Sequence, residues 1–311
     1  MRTWKKRTEQ RLVWSLFRLA MFLARNVPFR YLHSLGAKIG SLSFLLLRKR
    51  KGIARENLRI AFGQTRSENE LQEILKASFK NLGKGLLEVL RYYYLPPQFV
   101  DEQFDIEGEE NLKEALKQGK GVIALSAHLG NFPIIGAKFS ARNYRLHYVI
   151  HLPHERNIAG FIESVLGRAN VGLIPDRPRV ACVKKSIECL RENQILFIQL
   201  DISAIDSNVS IDFFGQPVAT YTGPVIFSMK TGSPIIPMFI VRNQDNRHKI
   251  MIDPPVELAV GEGKEKDILV NTRRLSKIIE SYVSKYPEQW FWLHRRWKRT
   301  GKDLQRMQNG K

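Results

Sequence analysis

His128 is the side chain in this sequence best placed to move a proton. It lies in Ser126-Ala127-His128-Leu129-Gly130-Asn131-Phe132-Pro133, directly after the apolar run Gly121-Val122-Ile123-Ala124-Leu125. Such a run predicts a buried strand, Gly130-Asn131 breaks it, and Pro133 is tolerated in the first turn of a following helix, where its missing N–H is not needed. The histidine is therefore expected at the carboxyl end of a strand, the edge where open α/β sheets place their chemistry. An imidazole there can take the proton of an attacking hydroxyl.

A second segment, Phe213-Phe214-Gly215 through Thr222-Gly223-Pro224 to Phe227, predicts a turn and then a helix start with Pro at its first position. Thr222 and Gly223 would then flank a helix N-terminus, which attracts anions. Taken alone, the pattern favours a plain turn. His147, His151 and His154 raise the question of a metal, but Pro153 breaks regular spacing and no carboxylate or thiolate completes a familiar ligand set, so no metal is expected. Cys182 and Cys189 form no CxxC pattern and read as reduced thiols on one helix.

These groups need a scaffold. Beyond Pro96-Pro97 the pattern alternates between strands, at 104–107, 121–125, 146–150, 172–174, 195–201, 209–213, 235–241 and 249–252, and helices, at 111–117, 158–166, 182–191, 225–230 and 267–285. The alternation indicates an α/β sheet covered on both faces. Upstream, residues 67–90 read as a helix with Leu71, Ile74, Leu75, Phe79, Leu82 and Leu86 on its apolar face. Residues 12–24 also read as a helix, with Arg11, Arg18 and Arg25 spaced by seven and an interrupted apolar surface. An interfacial helix fits this better than a clean span of about 20 apolar residues, though a tilted or bundled span stays open. The apolar run 35–47 is short for a bilayer and ends in Arg48-Lys49-Arg50-Lys51, which suits anionic headgroups or a solvated basic face. Arg18 and Arg25 also interrupt any cleavable signal.

Composition sets the outer bounds. The 311 residues are 43% hydrophobic, enough for a substantial core. The 50 Lys and Arg against 30 Asp and Glu give a net charge of +20, which calls for a polyanionic partner: nucleic acid, an anionic membrane or a phosphorylated substrate. The excess is terminal, since Glu9 is the only acidic residue up to position 51 and the tail from Arg295 is again basic. The expected organisation is a membrane-associated basic and apolar helical region at 1–52, a helical segment packing on the core at 53–98, and an α/β core with a basic tail at 99–311.

In their order and spacing, several segments resemble the lysophospholipid acyltransferase superfamily, and within it the lipid A biosynthesis (lauroyl/myristoyl) acyltransferases. They are Glu56-Asn57-Leu58 with Ala61-Phe62, His128-Leu129-Gly130-Asn131, Arg156-Asn157, Asp201, Phe213-Phe214-Gly215 with Thr222-Gly223-Pro224, Pro234-Ile235-Ile236-Pro237, and the terminal stretch from Tyr286-Pro287-Glu288-Gln289-Trp290 to Trp297-Lys298. The resemblance implies a glycerol-3-phosphate acyltransferase-like mixed sheet flanked by helices. It implies transfer of a fatty acyl chain from an acyl carrier protein or coenzyme A thioester to a hydroxyl of a glycolipid, at the cytoplasmic face of a bacterial inner membrane, with no cofactor.

In that family the histidine is the general base and an acidic residue five positions later orients it; here that position is Pro133. The loss is not minor, because replacing the orienting aspartate of a serine protease lowers turnover about 10⁴-fold. Asp201, at the end of the apolar run 195–200, is the expected substitute, with Asp206 second. Asn131, Arg156, Arg168, Thr222 and Gly223 are the expected substrate-binding residues, the two arginines for phosphates of lipid or carrier. Two rival readings are an acyltransferase for another phospholipid or glycolipid and a catalytically weak lipid-binding relative. Nucleic-acid binding is not expected, since no recognised motif accompanies the charge.

Overall fold

Four long helices open the chain in the computed structural model, which describes residues 2–153, 155–203, 209–261 and 263–297, and their side chains from Arg11 onward, Leu12 excepted. They are α1 (Arg2–Asn26), α2 (Phe29–Leu46), α3 (Arg48–Phe62) and α4 (Glu68–Tyr92). His154, Asp206 and the tail beyond residue 297 lie outside the described residues. Among those described, no helix is long and apolar enough to cross a membrane.

The basic cluster Arg48 to Lys51 is not a tail on the preceding apolar run but the first turn of α3, so the boundary expected between residues 52 and 53 falls inside a helix. Four cations at a helix N-terminus oppose its dipole. α4 opens on a capping box in which Ser67 accepts from the Glu70 N–H and the Glu70 carboxylate accepts from the Ser67 N–H. α2 and α4 approach so closely that a Cβ on Gly36, Gly40 or Gly83 would lie 2.6, 2.2 or 2.1 Å from facing backbone, so this crossing requires glycine. It also corrects the expected face of α4: Leu86 is exposed, whereas Leu87 and Leu90 are buried. Leu71, Leu75 and Phe79 enter the main core, while Leu87 and Leu90 pack with Ala24 and Leu32 of the first two helices.

The chain continues through α5 (Pro97–Glu102), β1 (Phe104–Glu107), α6 (Glu109–Lys117), β2 (Val122–Ser126), α7 (Ile135–Ala141), β3 (Leu146–Ile150) and α8 (Arg156–Arg168). Then come β4 (Gly172–Pro175), α9 (Arg179–Arg191), β5 (Ile195–Gln199), β6 (Ser210–Phe213), β7 (Gln216–Ala219) and α10 (Gly223–Thr231), followed by β8 (Ile235–Arg242), β9 (His248–Ile252) and α11 (Lys264–Lys285). Seven strands form one sheet in the order β1-β9-β8-β2-β5-β3-β4, parallel throughout except for the β8–β9 pair.

Side chains alternate across this sheet. Ile123 and Leu125 of β2 enter one core, and Val122 and Ala124 enter the other. Full burial of each such aliphatic side chain stabilises by about 1.5–3 kcal/mol, which makes the central strands the rigid part of the molecule. The expected strand 209–213 does not join them. Phe214 (φ 53°) and Gly215 (φ 72°) form a two-residue turn that pairs β6 with β7 as a separate antiparallel hairpin, since positive φ at both turn positions gives the twist a tight hairpin needs. Pro217 hid the second strand from sequence reading.

Candidate active site

The parallel register of β2 and β5 places Ser126 opposite Gln199. Two residues further along each chain stand His128 and Asp201, so the same offset brings them side by side just past the sheet's carboxyl edge. β5 ends at Gln199, two residues short of the expected strand end, and Asp201 lies in the loop that follows. Its carboxylate holds the histidine twice: Oδ2 accepts from the His128 backbone N–H at 2.8 Å, and Oδ1 lies 2.8 Å from Nδ1. Trp290 Nε1–H donates to Oδ2 at 2.7 Å. Burial pushes the Asp201 carboxyl up, but the facing His128 charge and these hydrogen bonds outweigh it and hold the group below the ordinary carboxylate range.

Trp290 belongs to a terminal segment that braces the loop. Leu129 bridges antiparallel to Trp290, the Phe291 N–H donates to the His128 carbonyl at 2.9 Å, and the Gly130 N–H donates to the Gln289 carbonyl at 2.9 Å. Asn57 of α3 in turn donates to the carbonyls of Trp292 and His294, both at 2.7 Å. Arg296 is buried and donates to the carbonyls of Ile202 and Ala219, on either side of the site, at 2.7 and 2.9 Å. Burial lowers its pKa to about 10, so it stays cationic at neutral pH. Sequence reading had quoted these residues without giving them a role. A buried tryptophan N–H nearly always needs an acceptor, and that was the available signal.

With Nδ1 committed to Asp201, Nε2 at the far end of the ring makes no hydrogen bond among the described residues, and the ring borders a cavity of about 880 Å³. The walls are mostly apolar, with Val89 of α4, Tyr93 at its C-terminal cap, Phe161 and Val165 of α8, and Ile187 of α9 among them. Pro133 also lines the cavity, and its carbonyl accepts hydroxyl hydrogen bonds from Tyr93 at 2.5 Å and Tyr148 at 3.3 Å. The position that resembled a missing acid is thus held by its backbone.

The other expected residues separate. Thr222 and Gly223 border the cavity at the start of α10; Arg156 and Arg168 do not, and Arg168 instead lies over the Tyr94 ring at 5.7 Å. The cations that do border it are Arg177, Arg179 and Lys230. Asn131 turns away from the cavity and donates to Glu88 Oε2 at 2.7 Å. Glu88, on α4, is fully buried and chelated by both terminal nitrogens of Arg242. His33 Nε2 lies 2.9 Å from Oε1, and His248 Nε2 lies 3.2 Å from Oε2. Burial opposes the Glu88 charge, yet His248 and Arg242 hold its pKa well below the usual range, while burial lowers that of His248. His151, near the mouth, pairs with Asp176 at 3.0 Å. No group of three or more metal-ligating side chains occurs among the described residues.

A buried carboxylate, an imidazole with one end open and an apolar cavity, brought together at a sheet edge, suit acid–base chemistry on a substrate carrying an acyl chain. Comparison with known proteins gives the class. A family model described as bacterial lipid A biosynthesis acyltransferase matches residues 2–299, and the chain belongs to this family: it is an enzyme that transfers acyl groups. It is 27% identical over 288 residues to the lipid A biosynthesis palmitoleoyltransferase of Escherichia coli, covering 89% of this chain and 88% of that protein. To the lauroyltransferase of the same organism it is 21% identical over 284 residues, with 89% of each covered. A phosphatidylinositol mannoside acyltransferase of Mycolicibacterium smegmatis is 22% identical over 233 residues, 72% of each chain.

Proposed function

We propose that this enzyme moves a fatty acyl chain from an acyl-carrier-protein or coenzyme A thioester to a hydroxyl of a lipid A-type glycolipid precursor. His128 Nε2 takes the proton of the acceptor hydroxyl as its oxygen attacks the thioester carbonyl. Collapse of the tetrahedral intermediate breaks the carbon–sulfur bond, and the departing thiolate takes the proton back from the imidazolium, leaving an ester and a free thiol. Asp201 is the positioning residue: it fixes the ring orientation through Nδ1 and favours the imidazolium as it forms, the role that Pro133 is unable to fill. Thr222 and Gly223 present the N-terminus of α10 to an anionic part of the substrate.

The observation that carries this reading is the 2.8 Å contact between Asp201 and an imidazole bordering a large apolar cavity. The enzyme works at the cytoplasmic face of the inner membrane. Support for that placement comes from Val13, Leu16, Leu19 and Phe22 of α1, all exposed beside Arg18, and from Leu45, Leu46 and Leu47, exposed next to Arg48 and Lys49. An anionic surface would also offset the adverse charge at the start of α3.

The test is mass spectrometry of a reaction containing purified enzyme, acyl carrier thioester and a lipid A precursor. A mass gain of one acyl chain on the precursor, dependent on His128, is expected. Gain on a phosphatidylinositol mannoside instead would move the acceptor class, and no acylation of either with any thioester would favour a lipid-binding role.

A further inference from the structure

α9 and α10 pack together, and each turns an apolar stripe outward. On α9, Val180, Val183 and Lys184 fall at i, i+3 and i+4; on α10, Ile226, Met229 and Lys230 do the same. Val180 is 83% exposed, and Val183, Ile226 and Met229 are exposed with it. Because Val183, Ile226 and Lys230 also line the cavity, this face lies at its mouth. Arg179 and Lys185 are exposed beside the α9 stripe, while Lys184 reaches Glu188 at only 3.9 Å. Aliphatic side chains grouped in water on two neighbouring helices mark a surface that something covers.

We infer that this face seats the cavity mouth on an anionic lipid bilayer, so that acyl chains pass between membrane and cavity without crossing water. The inference builds on the acyl-transfer reading and adds a second contact surface, separate from the N-terminal helices. Charge favours this occupant, because four cations, Arg179, Lys184, Lys185 and Lys230, surround the stripes. Chemistry suits it too: the stripes are the apolar side chains Val, Ile and Met, and the exposed Tyr221 on the same cavity is of a type enriched at membrane–water interfaces. Continuity adds a third reason. Phe17 of α1 packs edge-on against Phe161 at 4.9 Å, and Phe161 lines the same cavity, so α1 abuts the wall of the cavity whose mouth carries the two stripes.

Val180 and Met229 do not line the cavity, so Val180→Glu combined with Met229→Glu in the full chain probes the face and leaves the site intact. In flotation with vesicles of phosphatidylglycerol and phosphatidylethanolamine, the double variant should lose roughly tenfold or more of the wild-type partition, since two buried aliphatics become two repelled charges. Lys184→Gln with Lys185→Gln should weaken binding to these vesicles and flatten its dependence on salt. His128→Ala should float like wild type, so a failure of the acyl-transfer reading, seen as no product from wild type, stays distinct from a failure of this one. Wild-type flotation of the Glu double variant would overturn the inference. Wild-type flotation together with a raised KM for the acyl carrier would assign the face to the donor protein instead.

Discussion

Asp201 and Glu88 are buried carboxylates near the same edge of the sheet, and each holds histidine, yet only the histidine on Asp201 borders the cavity. At Glu88 the charge is answered by a permanent cation, Arg242, and both oxygens are saturated by Arg242, His33 and Asn131, with His248 Nε2 3.2 Å from Oε2. At Asp201 the direct donors are His128 and Trp290, with no Arg or Lys in contact among the described residues, and the histidine ring borders the cavity. A carboxylate already neutralised by arginine has little left to offer a forming imidazolium. One without a direct cation does. The difference separates a closed structural node from a pair whose histidine is free to act on what the cavity holds, built of the same groups.

The largest break in this contrast is His128→Ala. Removal of the base should lower turnover by about 10²–10⁴-fold while circular dichroism and urea midpoint stay near wild type, because the ring is partly exposed at the cavity. Glu88→Gln should behave in the opposite way. Leaving Arg242 without its partner should cost about 3–5 kcal/mol of stability in urea unfolding, and turnover per folded molecule should change far less.

Both carboxylates also predict acid lability of one sign. Each has a folded-state pKa below its ordinary value. Their stabilisation is therefore fully present above the ordinary carboxylate range and is lost as pH falls through the folded values. Glu88→Gln and Asp201→Asn should therefore each flatten the acid limb of unfolding free energy against pH.

Asp201→Asn comes next in size for catalysis. It should cut kcat by roughly 10²-fold with little change in acceptor KM, because the charge assists the transition state rather than ground-state binding. Unchanged kcat would return Asp201 to the same structural class as Glu88.

The His128–Asp201 pair was more legible in the sequence than the Glu88 node. A buried strand before His128 and another before Asp201 are local patterns, and both survive in the structure. Their adjacency is not local: it depends on β2 and β5 being neighbours in a sheet whose order departs from chain order. Glu88 left no trace, since a lone acid on an amphipathic helix looks solvated until the helix crossing is known. Asn131 was misread for the same reason, its partner lying on α4. Gly36 and Gly40, four apart in an apolar helix, were the overlooked signal for the close α2–α4 crossing. Arg156 and Arg168 were placed by their nearness to the family's substrate region, and neither borders the cavity that Phe161 and Val165 of the same helix line.

Pro133→Glu should have the smallest effect alone and the sharpest in combination. In the wild type the Pro133 carbonyl, not its ring, is held by Tyr93 and Tyr148, so glutamate can keep those hydrogen bonds while its side chain enters the cavity near His128. With Asp201 already bonded to Nδ1, a second carboxylate finds that nitrogen taken, and turnover should change only a few-fold. In the Asp201→Asn background the imidazolium lacks a charged partner, and an acid at 133 stands where the family's orienting residue stands. Turnover of the double variant should therefore rise above that of Asp201→Asn, the non-additivity expected of two groups serving one histidine. Strict additivity of the two substitutions would mean that position 133 does not reach the imidazole, and that Asp201 alone orients it on this scaffold.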